Sequence, residues 1–306
     1  MTWIIEGVDE PLEVPRRFCP SCGQWTSGRF RPGPGARPDA RCPHCKSLER
    51  QRFLAVVTSC LSPVVEIGTL LDIAPAPCTT AILRELAPVR HIRMDIGYDD
   101  RGVDLLGSVT AIPLETGSVD MLVCYHVLEH VPDDVAAMRE LARVLAPAGV
   151  GLVQVPIRFG MPTDEDLSAD EVERVRRFGQ HDHVRYYGDD FEQRLLDAGL
   201  VFTRVSPRSL VGERVCTVLG LLPDEWVWVV RSSVHAEGEV APLVVPPPTG
   251  LTRALDAMVE AWVADLVRLS HAQRRARRLR TELDSRSRSF GSRLRARVPG
   301  RRHLSA

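Results

Sequence analysis

The sequence predicts an α/β domain on a mostly parallel sheet, preceded by a small cysteine-rich module and followed by a basic helical tail. Three observations carry this: the stretch Val119–Ile157, two Cys-x-x-Cys pairs near the N-terminus, and the concentration of arginine after Val267. In the first of these, Met121–Cys124 is a short apolar run, and the polar Tyr125-His126 and Leu128-Glu129-His130 follow. Pro132-Asp133-Asp134 puts a proline and two acids where a helix N-terminus favours them. Val135, Met138, Leu141, Ala142 and Leu145 recur at helical spacing, and Ala146-Pro147-Ala148-Gly149 stops the helix. Val150–Val155 is a second run of strand length. Strand, helix and strand in this order make the crossover of a parallel sheet, whose ligands bind past the strand ends.

These residues resemble the fourth and fifth strands of a class I S-adenosylmethionine-dependent methyltransferase. They are most similar to the type 11 group, in which a His-Val-Leu-Glu-His-Val-like turn is followed by Pro-Asp-Asp and a Leu-Arg-Pro-Gly-Gly turn. The last of these is one glycine short here, at Leu145–Gly149. The resemblance implies a Rossmann-like seven-stranded sheet, mostly parallel with an antiparallel last strand.

Length and composition set outer bounds. The 306 residues suit one full α/β domain with small additions. The 39 basic and 40 acidic residues nearly cancel. From Arg268 onward, however, 13 arginines face only Glu282 and Asp284, a net +11 on an otherwise acidic chain. No apolar run is long enough to span a membrane, and the first residues lack the basic start and apolar core of a secretory signal. A cytoplasmic location is expected, where eight cysteines point to metal binding or buried thiols rather than disulfides.

Taken in order, residues 1–46 are expected to form a zinc ribbon. Cys19-x2-Cys22 and Cys42-x2-Cys45 are separated by 19 residues. Each tight turn aims two thiolates at one ion, and the pair completes a tetrahedron with no open position, so the zinc is structural. The Gly/Pro-rich stretch between the knuckles takes its order from the metal. A helix is expected from Ser47 to about Leu61, with Ser47 as N-cap and Arg50 at N3. A ribbon followed by such a helix resembles a bacterial subgroup of these methyltransferases, and the catalytic domain is then expected over residues 47–234.

Thr69–Ala74 reads as the first strand, Pro75–Cys78 as its turn, and Thr79 or Thr80 as the cap of a helix Ala81–Leu86. The resemblance implies that this turn meets the cofactor through Asp72, Ala74, Pro75 and Ala76, although the usual Gly-x-Gly-x-Gly is absent. The second strand, His91–Asp95, ends in an acid that by resemblance takes both ribose hydroxyls. The third, Val103–Val109, brings Ser108 and the Val109 amide to the adenine. Tyr125 and His126 lie nearest the methyl group. An irregular charged segment to Tyr187 contains His181, Asp182 and His183, a general base, a structural pair, or a second metal site lacking a third ligand. His126, His130, His181 and His183 are the candidate bases. Asp189 is expected to cap a helix Asp190–Ala198, and Leu200–Val205 and Trp226–Arg231 are the final strands.

Residues 235–250 read as a proline-rich linker and 251–306 as an amphipathic helix with an arginine-rich tail. Leu251, Leu255, Met258, Trp262, Leu266 and Leu269 form a stripe suited to docking or to a homodimer through helix 251–283. The tail suits an anionic polymer or membrane surface, or simple solvation. The expected reaction is methyl transfer from S-adenosylmethionine to an unidentified acceptor, such as a small-molecule or glycan hydroxyl. The alternatives are a zinc-ribbon RNA base methyltransferase and a degenerate, non-catalytic scaffold.

Overall fold

The computed structural model describes residues 2–3, 12–13, 17–26, 28–62, 65–97, 102–235, 238, 240–248, 260, 268, 271–272, 274–276 and 278–281. The chain divides into two compact units, Met1–Glu13 with Arg253–Ala306, and Val14–Thr252. In the first, Thr2–Trp3 pairs antiparallel with Leu12–Glu13, and the described residues from 260 to 281 are helical. The apolar stripe from Leu251 to Leu269 and the tail beyond residue 281 lie outside the described residues. Among the described residues, no helix is long and apolar enough to cross a membrane.

The second unit is built on seven strands: β1 (Thr69–Ile73), β2 (Arg90–Asp95), β3 (Leu105–Leu106), β4 (Val119–Tyr125), β5 (Leu145–Gln154), β6 (Leu200–Val205) and β7 (Val227–Ser232). Their spatial order is β6-β7-β5-β4-β1-β2-β3, with β7 antiparallel to both neighbours and every other pairing parallel. This is the expected Rossmann-like sheet. The strand order switches between β1 and β4, which opens a crevice at their C-terminal ends. Its helices are α1 (Glu49–Leu61), α2 (Pro77–Arg84), α3 (Asp134–Val144), α4 (Glu171–Phe178), α5 (Phe191–Asp197) and α6 (Pro207–Leu219). One face of the sheet buries Leu71, Leu122, Val153 and Trp228 with Met138 and Leu141 of α3 and Leu195 of α5.

Local chemistry explains where the elements begin, and corrects several expected bounds. Asp133 caps α3 as its acids suggest, its carboxylate accepting from the Ala136 amide. The N-cap of helix α1 is Leu48, one residue later than expected, because Gln51 reaches back to the Leu48 amide (2.8 Å) while Ser47 turns inward to the cysteines. Helix α2 starts earlier, at Pro77, whose ring fixes a helical φ and whose missing N–H costs nothing at N1. Thr79 and Thr80 therefore lie inside it rather than capping it. β5 absorbs the Ala146–Gly149 turn: Leu145 pairs with Val119 and Val150 with Met121, so the extra residues form an irregularity within the pair. β3 keeps only two paired residues, since the chain turns back at the Ser108–Ala111 bridge.

The segment expected to be irregular contains α4, capped by Asp170 and closed by the left-handed Gly179, and a short ribbon of Asp164–Glu165 with Arg185–Tyr186. Helix α5 begins at Phe191, and Asp189 accepts from the Gly160 amide instead of capping it. Helix α6, which the sequence reading did not assign, opens on a Ser206 cap followed by Pro207. Part of the expected linker lies along the sheet edge, where Thr203 donates to the Leu243 carbonyl (2.6 Å). The Arg52 side chain, fully buried on α1, donates to the carbonyls of Ala40, Ser47, Leu219 and Gly220. It thereby joins the cysteine module, α1 and the end of α6.

Candidate functional site

A cavity of about 720 Å³ lies at the crevice between β1 and β4. Asp72, Ala74, Ala76, Asp95, Ser108, Val109, Tyr125, His126 and His130 line it, whereas Pro75, His181 and His183 do not. His181 is exposed to solvent. The backbone at both strand ends is unusual. Ala74 (φ 52°) and His126 (φ 54°) both adopt the left-handed conformation, which costs a residue with a Cβ roughly 1–2 kcal/mol. At Ala74 this conformation stands where glycines would otherwise be expected, so the turn keeps a glycine-like path without glycine. Such outliers persist where the surroundings over-determine them, commonly at functional sites.

Asp72 is buried in the middle of the sheet. Its Oδ2 accepts from Thr80 Oγ1 (3.1 Å) and lies 3.6 Å from His91 Nε2, and its Oδ1 is buried without a partner. Asp95 ends β2 with its carboxylate Oδ1 accepting from the Ile96 amide (2.7 Å). The Ser108 hydroxyl meets Thr110 Oγ1 at 2.8 Å, within its own turn. Tyr125 OH, Gln154 Oε1 and Glu225 Oε2 are also buried without partners, at the ends of β4 and β5 and just before β7. Burial, reinforced by Glu225, pushes the Tyr125 phenol well above its ordinary range, so it stays a neutral donor.

Burial, with the Glu49 charge adding to it, likewise pushes the Glu225 carboxyl up to about 7. Below pH 4.5 the group is protonated in both folded and unfolded chains and costs nothing. Between about 4.5 and about 7 only the unfolded chain ionises, so stability falls as pH rises, and the loss persists above that window. Glu225→Gln is therefore expected to stabilise the fold by roughly 2–3 kcal/mol at pH 8 and by much less at pH 5. Urea unfolding at the two pH values checks this, and an equal gain at both would refute it.

The turn after β4 carries a second cluster. Among the described residues, Glu129, His130 and His183 bring one ligand atom each to within 4.8 Å of one another. The rings of His130 and His183 meet edge to face, their centres 4.6 Å apart. Arg185 clamps the turn by donating to the carbonyls of Leu128 (2.8 Å), Val131 and Pro132 (2.9 Å), and the Val184 amide donates to the Glu129 carbonyl (2.9 Å). In the cysteine module, Cys19, Cys22, Cys42 and Cys45 converge likewise. The sulfur separations are 3.6 Å for Cys19–Cys45 and 3.9 Å for Cys22–Cys42, and Ser47 Oγ sits 3.1 Å from Cys45 Sγ.

The sequence reading missed Glu129 as a site residue, though it stands inside the turn that was singled out. It also missed Arg50 and Gln51, which α1 contributes to the cavity wall. No local signal marks these, since each becomes a site residue only through the packing of distant elements.

A seven-stranded sheet with a reversed β7, and a cavity where its strand order turns, define a domain of the class I methyltransferase type. Residues 57–153 match the family described as "Methyltransferase domain", of type 11. A "probable S-adenosylmethionine-dependent methyltransferase" of Mycolicibacterium smegmatis is 35% identical over 77 residues, covering 25% of this chain and 27% of that protein. A ubiquinone biosynthesis O-methyltransferase of Xanthomonas oryzae pv. oryzae is 30% identical over 117 residues, covering 37% of this chain and 44% of its own. The chain thus spans less than half the length of these curated relatives. Among solved structures, a methyltransferase in complex with the Trm112 activator, from Haloferax volcanii, aligns with a TM-score of 0.42 and 17% identity over 62% of this chain and 95% of that one.

Proposed function

We propose that this protein transfers a methyl group from S-adenosylmethionine to an oxygen-bearing acceptor, such as a hydroxyl of a small molecule or glycan. The observation that carries this reading is the convergence of Asp72, Asp95 and Tyr125 on one cavity beside the left-handed turn at Ala74. The residues suit the cofactor. Asp95, at a strand end, offers a carboxylate to two ribose hydroxyls. The unpartnered Asp72 Oδ1 and the close-approaching Ala74 turn suit the methionine end, and Ser108 with the Val109 amide suits the adenine. When bound, the cofactor supplies a methyl group on a positively charged sulfur. The chain's own work is to hold an acceptor in line with it and to take a proton from a hydroxyl. His126 and His130 line the cavity and are the bases in this reading, and His181 is set aside by its exposure.

The reading also includes a structural zinc in the four cysteines. A tetrahedral zinc with bonds of about 2.3 Å places its sulfurs about 3.8 Å apart, and the separations of 3.6 and 3.9 Å bracket that value. Methyl transfer is tested by titration calorimetry with S-adenosylhomocysteine, followed by incubation with methyl-labelled S-adenosylmethionine and pools of phenols, glycans and RNA. Saturable binding and label in a hydroxyl compound are expected. Absence of binding by the intact protein would favour the scaffold reading, and label in RNA bases the RNA alternative.

A further inference from the structure

Glu129, His130 and His183 share features that a proton-transfer role does not require. Glu129 is fully buried and His183 is 3% exposed, yet Glu129 Oε2 and His183 Nε2 have no hydrogen-bond partner. Two buried polar atoms without a protein partner are costly, and they invite a ligand that both can reach. Each of the three side chains is oriented by a different outer group. His183 Nδ1 lies 3.1 Å from the Phe178 carbonyl, which can only accept, so Nδ1 carries the hydrogen and Nε2 presents its lone pair. His130 Nδ1 lies 3.2 Å from an Asp182 carboxylate oxygen, which leaves its Nε2 in the same state. Glu129 Oε1 meets His126 Nδ1 at 3.0 Å, which leaves Oε2 turned elsewhere. A carboxylate or carbonyl behind each imidazole is how metal-ligating histidines are held in the required tautomer.

We propose that Glu129, His130 and His183 form a divalent transition-metal site, separate from the four cysteines, at the wall of the cavity. Two imidazole nitrogens and one carboxylate suit Mn²⁺, Fe²⁺, Co²⁺ or Zn²⁺ and leave coordination positions open. His130 and Asp182 line the cavity, so those positions lie at its edge. An acceptor oxygen taking one of them would be oriented and made more acidic, a consequence that rests on the methyl-transfer reading, whereas the metal site itself does not; with the ion bound, His130 is a ligand and His126 alone is left as the base.

Manganese is the probe, because thiolates disfavour it and it does not compete for the cysteines. The full-length, zinc-loaded protein is titrated with Mn²⁺ and free Mn²⁺ is followed by electron paramagnetic resonance. One Mn²⁺ per chain is expected. Glu129→Gln keeps the shape and removes the charge, and is expected to weaken binding at least tenfold. His130→Asn removes the ligating ring nitrogen at a partly exposed position, is expected to weaken binding likewise, and serves if Glu129→Gln fails to fold. Glu171→Gln, on the exposed face of α4, leaves binding unchanged. A second equivalent of Co²⁺ without thiolate absorption bands would equally support the site. Uptake of neither Mn²⁺ nor Co²⁺ beyond the cysteines, or Mn²⁺ binding that survives both substitutions, overturns the proposal. S-adenosylhomocysteine binding measured on the same samples separates this outcome from failure of the methyl-transfer reading.

Discussion

Cys22→Ser is expected to strip the zinc from the N-terminal module and to unfold its two knuckles. Three thiolates and a hydroxyl hold zinc far less tightly than four thiolates, because a serine oxygen stays protonated at neutral pH. Structural zinc contributes roughly 10–16 kcal/mol to modules of this kind, so losing one ligand of four should cost on the order of 3 kcal/mol or more. The damage should not stay local. Arg52 spans from the Ala40 and Ser47 carbonyls of the module to the Leu219 and Gly220 carbonyls after α6, and its guanidinium lies 4.2 Å over the Phe30 ring. Loosening the knuckles therefore leaves a buried cation with fewer acceptors, and the melting temperature of the whole unit should fall. Atomic absorption is expected to give about one zinc per chain in the unaltered protein and little in the variant. Cys78→Ser, at a half-buried position on α2, should leave the zinc in place. Unchelated wild-type protein without zinc would sink this reading of the cysteines.

Asp95→Ala is expected to weaken S-adenosylhomocysteine binding ten- to a hundredfold, or roughly 1.5–3 kcal/mol. The substitution removes an ionised acceptor from two hydroxyls and also releases the Ile96 amide, which Asp95 now accepts at 2.7 Å. Asp95→Asn retains a neutral acceptor for both purposes and should recover part of the loss. Thermal unfolding of the ligand-free variants separates a binding effect from a folding one, since Asp95 lies at a strand end rather than in the core. Calorimetry showing full affinity in Asp95→Ala would place the ribose elsewhere, with Asp72 the next acid to change.

Features written in consecutive residues were readable before any coordinates. The two Cys-x-x-Cys turns, the helix start at Pro132-Asp133-Asp134 and the apolar runs of β4 and β5 depend on neighbours within a few residues, so spacing alone exposes them. The expected seven-stranded order followed from the family resemblance that those runs carry. Misplaced element ends also have local causes, such as Pro77 opening α2 before the threonines. Helix α4 carries Val172, Val175 and Phe178 at helical steps of three, but only Phe178 is buried, so the short apolar stripe does not mark a core-facing helix. Its Asp170 cap and Gly179 stop were the available signal.

The histidines show the limit most clearly. His181, Asp182 and His183 stood together in the chain as a pair with a missing ligand, and His130 and Glu129 lay more than fifty residues away. Composition and spacing established that imidazoles and acids were present near the end of β4 and beyond β5. Which of them meet was decided by the Arg185 clamp and the Val184–Glu129 backbone bond, which draw His183 against His130 and leave His181 in solvent. Spacing records only what one helix turn or strand can bring together. Burial, tautomer and the unpaired atoms of Glu129 and His183 are properties of packed neighbours, and they arise only when distant segments share one desolvated space.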